Sequence, residues 1–155
     1  MTTNSSLFRA FAGVLLGYVA LASAGLLISK ATFSAFTTDE LFEPANFVPR
    51  PLFIAITIVA ALAVASLAGW LCRFVAERRR PALVFAAIVG ILSFFMALIA
   101  ISVPNDSPDP RLGGEAMELV QRQMIAQQPR WLTLLQPLLL VLGILAGSHR
   151  QRVKS

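Results

Sequence analysis

The chain has 155 residues, of which 57% are hydrophobic and 14% charged, and its formal net charge at pH 7 is +5. Soluble domains are typically about 45–50% apolar and about 25% charged, so a water-soluble fold of this size would expose apolar patches that favour aggregation. A disordered chain is excluded as well, because disorder requires low hydrophobicity, and this leaves an integral membrane protein.

Four segments are apolar and long enough to cross a hydrocarbon core of about 30 Å: 10–29, 52–72, 82–103 and 131–148. Backbone groups in lipid must pair within their own segment, so all four are predicted to be helices. The prediction is a single all-α membrane domain over residues 1–155, with outer segments at 30–50 and 104–130. An alternative is that Ala22-Ser23-Ala24 is a signal-peptidase site, which would remove the first span.

Basic residues are distributed unequally between the two sides of these spans. One side holds eight Lys or Arg residues and a single acid, Glu77, whereas the other holds five basic residues and seven acids. Because Lys and Arg in short loops are retained in the cytoplasm, both termini and the middle loop are predicted to be cytoplasmic, in a multi-pass protein of the cell membrane. In that loop, Arg78, Arg79 and Arg80 are expected to contact anionic lipid headgroups.

Small residues recur along the spans in steps of three and four, which keeps them on one face of each helix. Such stripes let helix backbones approach closely in lipid. They comprise Gly13, Gly17, Ala20 and Ala24, then Ala61, Ala65 and Ala68, then Ala86, Gly90, Ser93 and Ala97, and finally Gly143 and Gly147. An alanine-rich composition also produces stripes by chance, but their repetition in three spans favours an antiparallel four-helix bundle.

The two outer segments are predicted to contain short helices. Thr38 before Asp39-Glu40-Leu41 indicates a helix start, since threonine caps helices and acids suit the first turn. The phenylalanines around it favour a position along the membrane interface or folded over the spans. Segment 104–130 is expected to hold an amphipathic helix over 115–127. Its acids Glu115 and Glu118 lack EF-hand spacing, so solvated carboxylates are favoured over a calcium site.

Polar chemistry within the spans is sparse. No ionisable residue lies in any of them, which disfavours proton-coupled transport. Gln136 precedes Pro137, and a glutamine amide there can satisfy the carbonyl that proline frees, or face a cavity. Tyr18 needs a partner for its hydroxyl near the middle of the first span. Structural roles are the favoured interpretation, and a cavity near Tyr18, Gln136 and Pro137 is the alternative.

Motifs of catalysis and of cofactor binding are absent from the sequence. It has no HExxH, P-loop or GxSxG pattern. The single cysteine, Cys72, allows no internal disulfide, and the single histidine, His149, allows no bis-histidine haem. We therefore expect no catalytic residue, no cofactor, no metal and no nucleic-acid partner.

Three stretches carry a resemblance to known proteins. They are Gly13-Val14-Leu15-Leu16-Gly17-Tyr18-Val19, Ala68-Gly69-Trp70-Leu71 with Ala76-Glu77-Arg78-Arg79-Arg80-Pro81, and Gln128-Pro129-Arg130-Trp131 with Gly143-Ile144-Leu145-Ala146-Gly147. Together they resemble a loose group of small, mostly uncharacterised bacterial four-span integral membrane proteins. The resemblance covers nearly the whole chain through topogenic motifs of low specificity. It implies the fold and a cytoplasmic-membrane location, and it assigns no catalytic residue.

The leading functional hypothesis is a non-catalytic protein that acts through association with other membrane proteins or with itself, for example as an accessory subunit of a membrane complex. The alternative is a small carrier or channel for a neutral or apolar solute. An enzyme acting on lipids at the outer interface comes third, and it would require Glu115 and Glu118 to lie beside a pocket.

Overall fold

The computed structural model of this chain describes residues 3–43, 48–102 and 129–149. They form five helices, which are α1 (Thr3–Ala35), α2 (Thr38–Leu41), α3 (Pro51–Ala76), α4 (Arg79–Ser102) and α5 (Arg130–His149). All but α2 are long and apolar enough to cross a membrane. Within the described ranges there is no strand, only an isolated bridge between Phe42 and Pro49. The protein is therefore all-helical in these ranges and a multi-pass membrane protein, as its hydropathy predicts.

The first helix is longer than the span predicted for it. Its 33 residues extend over about 50 Å at 1.5 Å per residue, whereas its uncharged stretch between Arg9 and Lys30 covers about 31 Å. That uncharged stretch matches the thickness of a hydrocarbon core. Both ends of α1 therefore reach beyond the apolar layer.

The turn between α3 and α4 is short and has a defined geometry. Glu77 ends α3 in the left-handed conformation with φ 55°, and its N–H donates to the Arg73 carbonyl at 2.9 Å. Its carboxylate accepts a hydrogen bond from Arg9 at 2.8 Å, which joins the start of α1 to the end of α3. Both side chains are exposed, so this ion pair contributes at most about 1 kcal/mol.

The four long helices pack in a defined order. α1 runs antiparallel to α3, because Gly13 lies against Cys72 and Gly17 against Ala68. The most extensive contact is between α3 and α5, which run in the same direction. α4 packs mainly on α5, and it meets α1 where Gly17 lies against Phe85. α3 therefore lies between α1 and α5, and α5 lies between α3 and α4.

The core at the end of the molecule that carries Arg9 and Glu77 consists of small side chains around two large ones, Phe85 and Ile144. It comprises Ala65, Ala68, Cys72, Ala82, Phe85, Ala86, Val89 and Ile144. Alanines dominate because each places only one methyl group between neighbouring backbones. This composition lets α3, α4 and α5 approach closely.

The opposite end of the molecule is covered by α2 and an aromatic cluster. Phe33, Phe42 and Phe53 form this cluster, which we call the aromatic cap, with the Phe42 and Phe53 ring centroids 4.8 Å apart. Leu41 at the end of α2 is fully buried beneath it. Backbone bonds from Arg50 to Leu41 (2.8 Å) and from Glu43 to Val48 (2.9 Å) hold the connection. The described part of segment 30–50 thus folds over the spans.

The capping residue of α2 differs by one position from the sequence prediction. The helix begins at Thr38, but Thr37 precedes it as the cap. The Glu40 carboxylate accepts hydrogen bonds from the Thr37 N–H at 2.7 Å and from its hydroxyl at 3.0 Å. This is the reach-back half of a capping box, in which the third helical residue satisfies the cap residue. Because Glu40 is three residues after Thr37, the capping-box spacing identifies Thr37 as the cap residue of α2.

The amphipathic helix predicted over 115–127, together with Glu115 and Glu118, lies outside the described residues. The same holds for most of outer segment 104–130 and for the calcium alternative placed there.

Candidate functional site

The small residues predicted to pack between helices lie in the interior. All thirteen are buried or half-buried. The closest approaches are between α3 and α5, where a methyl group added at Gly147 would collide with the Ser66 backbone. At Gly143 an added Cβ would lie 2.5 Å from that of Ala65. These glycines therefore set the distance between the two backbones.

Sequence reasoning missed Gly69 as a packing residue. A Cβ at this position would collide with the Ile144 backbone on α5. Gly69 follows Ala68 directly and lies off the stripe of Ala61, Ala65 and Ala68, which were grouped by a single helical period. α3 contacts all three other long helices, so it needs small residues on more than one face, and a single stripe does not reveal this.

The basic end of the molecule carries exposed arginines. Arg78, Arg79 and Arg80 are all exposed in and after the turn between α3 and α4. Nearby, Arg73 donates to the carbonyl of Ser148, which connects the ends of α3 and α5. The predicted headgroup contacts of the three exposed arginines stay a prediction.

A cavity of about 260 Å³ lies near the other end, beneath the aromatic cap. Three helices line it: α1 with Gly25, Ser29, Thr32 and Phe33, α3 with Phe53 and Thr57, and α5 with Gln136. Aliphatic side chains complete the wall. Among the described residues, no part of α4 lines this cavity. α4 is absent from the lining because it packs mainly against α5, and because its contact with α1 at Gly17 lies towards the opposite end of the molecule.

The polar groups of the cavity are all uncharged, and they differ in whether they are satisfied. The hydroxyl of Thr32 donates to the Ile28 carbonyl at 2.9 Å, and that of Thr57 donates to the Phe53 carbonyl at 2.8 Å. Ser29 differs, because its Oγ is buried and has no hydrogen-bond partner within the described chain. A buried hydroxyl without a partner is unfavourable and calls for an explanation.

The sequence predicts a cavity near Tyr18, Gln136 and Pro137, but in the structure only Gln136 lines the cavity. Gln136 lines the cavity, and its amide makes no hydrogen bond to the residues described. Pro137 is buried within α5 and is not part of the lining. Tyr18 lies away from the cavity on the outward side of α1, where 53% of its surface is exposed. One residue of the three therefore belongs to the site.

Ser29 is the polar residue of the site that sequence reasoning missed. It is the last residue of the predicted span 10–29, at the boundary with outer segment 30–50. A serine in a helix usually bonds to the preceding turn, as Ser23 does with Val19 at 2.7 Å. Sequence alone does not separate such a serine from one that faces a cavity. The available signal was that Gly25, Ser29 and Thr32 recur in steps of four and three, which places a glycine and two hydroxyls on one face of α1.

Comparison with known proteins adds no assignment to this geometry: no family model, no curated protein and no solved structure matches the chain. The resemblance to small bacterial four-span membrane proteins therefore stays a prediction.

Proposed function

We propose that this protein is a non-catalytic, antiparallel four-helix membrane bundle that acts through association with another membrane protein, as an accessory subunit does. The order of helix contacts supports the bundle, since α3 packs on α1 and α5, and α4 packs on α5 and, through Phe85, on α1. The uncharged spans support a role without proton or metal chemistry.

The observation that carries the proposal is the outward face of α1. Only 11% of its most apolar window is buried, compared with 22–33% in the other three spans. Tyr18 and Ala22 lie one turn apart on this face, and both are exposed. A small residue one turn from Tyr18 lets a neighbouring helix approach this face closely.

The hydroxyl of Tyr18 indicates what the partner must offer. It has no hydrogen bond among the described residues. Tyr18 is nine residues beyond Arg9, which places its Cα about 13 Å along the helix from that charged level. A hydroxyl without a partner in hydrocarbon is unfavourable. The occupant we propose for this face is a transmembrane helix that presents a carbonyl or hydroxyl acceptor opposite Tyr18.

Site-specific photo-crosslinking in native membranes tests the association. A photoreactive residue at Val19, beside Tyr18, is expected to give one protein adduct of reproducible mass. The same residue at Leu92 on α4 is the matched control, because the exposed fractions are 53% and 54%. Leu92 is expected to give lipid adducts alone. Adding Tyr18→Phe is expected to weaken the protein adduct at Val19.

Two outcomes would contradict the association. One is lipid adducts alone from both positions, and the other is the same protein adducts from Val19 and Leu92. An adduct with a second copy of this chain would support association and identify the partner as the protein itself.

A second candidate function is a small carrier or channel for a neutral or apolar solute. The cavity beneath the aromatic cap favours it, because three helices line the site and its lining contains no ionisable group. Purified protein in vesicles is expected to accelerate the movement of such a solute between the two leaflets of the bilayer or across the whole bilayer. Gly25→Leu, which places a side chain into the space beside Gly25, is expected to abolish that acceleration.

A further inference from the structure

The cavity beneath the aromatic cap presents hydrogen-bonding groups that the protein does not use. The hydroxyls of Thr32 and Thr57 already donate hydrogen bonds within their own helices, so each can only accept a hydrogen bond from a ligand. The Ser29 hydroxyl and the Gln136 amide can still donate and accept. The cavity therefore contains both kinds of partner, supplied by α1 and α5 from different directions.

The charge of a suitable ligand follows from the lining. None of the lining residues is ionisable, and apart from three hydroxyls and the Gln136 amide the lining side chains are aliphatic or aromatic. Burying an unpaired charge in such surroundings is far more unfavourable than burying a hydrogen-bonded polar group. The site thus selects for an uncharged molecule with at least one donor and one acceptor.

The size and position of the site restrict the ligand further. A volume of about 260 Å³ is near the lower limit of small-molecule sites, which span about 300–1,000 Å³. It accommodates a small head with a few carbon atoms and not a complete lipid. The aromatic cap covers the cavity at the end of the molecule. On the side that faces α4, no described residue of α4 lines the cavity. A chain attached to the head can leave on that side.

We propose that this cavity binds an uncharged single-chain amphiphile from the membrane. Its hydroxyl-bearing head hydrogen-bonds to Ser29 and Gln136, and its hydrocarbon chain passes between α1 and α4 into the lipid. This ligand class rests on the second candidate function, which assigns a neutral solute to the same cavity, and it is independent of association through α1.

Binding can be measured with a photoreactive monoacylglycerol on full-length protein in nanodiscs. Unlabelled monoacylglycerol is expected to compete, whereas a lysophospholipid of the same chain length and the corresponding alkane are not. Ser29→Ala and Gln136→Leu are each expected to weaken competition by roughly three- to tenfold, as expected for one lost hydrogen bond. Ser93→Ala is the matched control, because Ser93 lies on α4 and its hydroxyl bonds to the Val89 carbonyl at 2.6 Å.

The results that would overturn this assignment are specific. Failure of the probe to label, equal competition by the charged lysolipid, or equal effects of the Ser29 and Ser93 substitutions would each exclude it. Labelling without solute exchange in vesicles would retain this ligand site and exclude the carrier. Exchange that is unaffected by Gln136→Leu would support the carrier and exclude the site.

Discussion

The buried hydroxyl of Ser29 is expected to lower the stability of the ligand-free protein while it strengthens ligand binding. Because this Oγ has no partner among the described residues, removing it is expected to stabilise the ligand-free protein. An unsatisfied buried hydroxyl costs about 1–3 kcal/mol, so Ser29→Ala is expected to raise the free energy of unfolding by about 1 kcal/mol. Unfolding in mild detergent with increasing SDS measures this change.

Ser93→Ala again provides the control for that measurement, since both substitutions gain the same helix propensity. Ser93 loses its bonds to the carbonyls of Val89 and Gly90, so its variant is expected to be no more stable than the original protein. A Ser29 variant that is as unstable as the Ser93 variant, or less stable, would mean that the Ser29 hydroxyl is satisfied within the folded protein.

The carboxylate of Glu40 gives α2 a dependence on pH. Hydrogen bonds from the Thr37 N–H and hydroxyl hold the pKa of Glu40 below its ordinary value of 4.5. A lowered pKa means that the cap is fully stabilised above pH 4.5 and is lost as the pH falls through the folded-state value. The protection of the Thr37 amide, measured as its hydrogen-exchange rate relative to the intrinsic rate at each pH, is expected to fall over that acidic window.

Glu40→Gln is the control for the Thr37 amide, because an amide at position 40 does not titrate. The variant is expected to show exchange at Thr37 without that acidic step. An identical acidic step in the variant would assign the pH dependence to another group.

Among the helices, the glycines of α5 are expected to be the most sensitive to substitution. Gly147→Ala places a methyl group against the Ser66 backbone, which cannot rotate away. Overpacking of this kind typically destabilises a protein by about 1–3 kcal/mol. Unfolding with SDS is expected to show that loss for Gly147→Ala.

Gly25→Ala is a matched glycine substitution in an open position. A Cβ at Gly25 has nothing within 4 Å in the described structure. Its variant is expected to be unchanged or more stable by up to about 1 kcal/mol, because alanine favours helix more than glycine does. Similar losses for both glycines would show that helix propensity, and not the contact between α3 and α5, determines the effect.

The sequence predicts which segments form helices, but it does not predict how these helices are paired. Hydropathy predicts the four long helices, and small-residue spacing places Gly143 and Gly147 on a single face. Neither pattern says which helices are neighbours, because a small residue permits close approach by any helix. The parallel pairing of α3 with α5 depends on Gly69 and Gly147 fitting against backbone on the opposite helix, and this complementarity is visible only in three dimensions.

At the scale of the whole molecule, the two ends differ in charge, and this difference predicts a membrane orientation. Arg78, Arg79 and Arg80 are exposed at one end, while Val48 is exposed beside the aromatic cap at the other. With Cys72 replaced by alanine, a cysteine at Arg79 is expected to react with an impermeant maleimide in inverted vesicles only. A cysteine at Val48 is expected to react in right-side-out vesicles only. The reverse pattern would contradict the predicted orientation.

The cavity shows why a site of this kind is largely invisible in a single sequence. Gln136 was recognised because an amide beside a proline is unusual within a span. Ser29 and Thr57 were not distinguished as site residues, since hydroxyls in spans usually bond to their own helices, as Thr57 does. No described residue of α4 lines the cavity, and the absence of one helix from a lining has no signature in the sequence of the other helices.

The pairing of α3 with α5 has a consequence for how the protein is made. Arg73 reaches Ser148 across 75 positions of the chain, and the closest approach of any described glycine to a neighbouring backbone joins α3 to α5. During synthesis α3 and α4 enter the lipid before α5, the helix that each of them contacts most, has been made. A ribosome that stalls ahead of residue 130 would leave the glycine face of α3 uncovered, and cellular quality control can recognise such an orphan intermediate. The packing of α3 and α4 is therefore completed only after α5 has been translated.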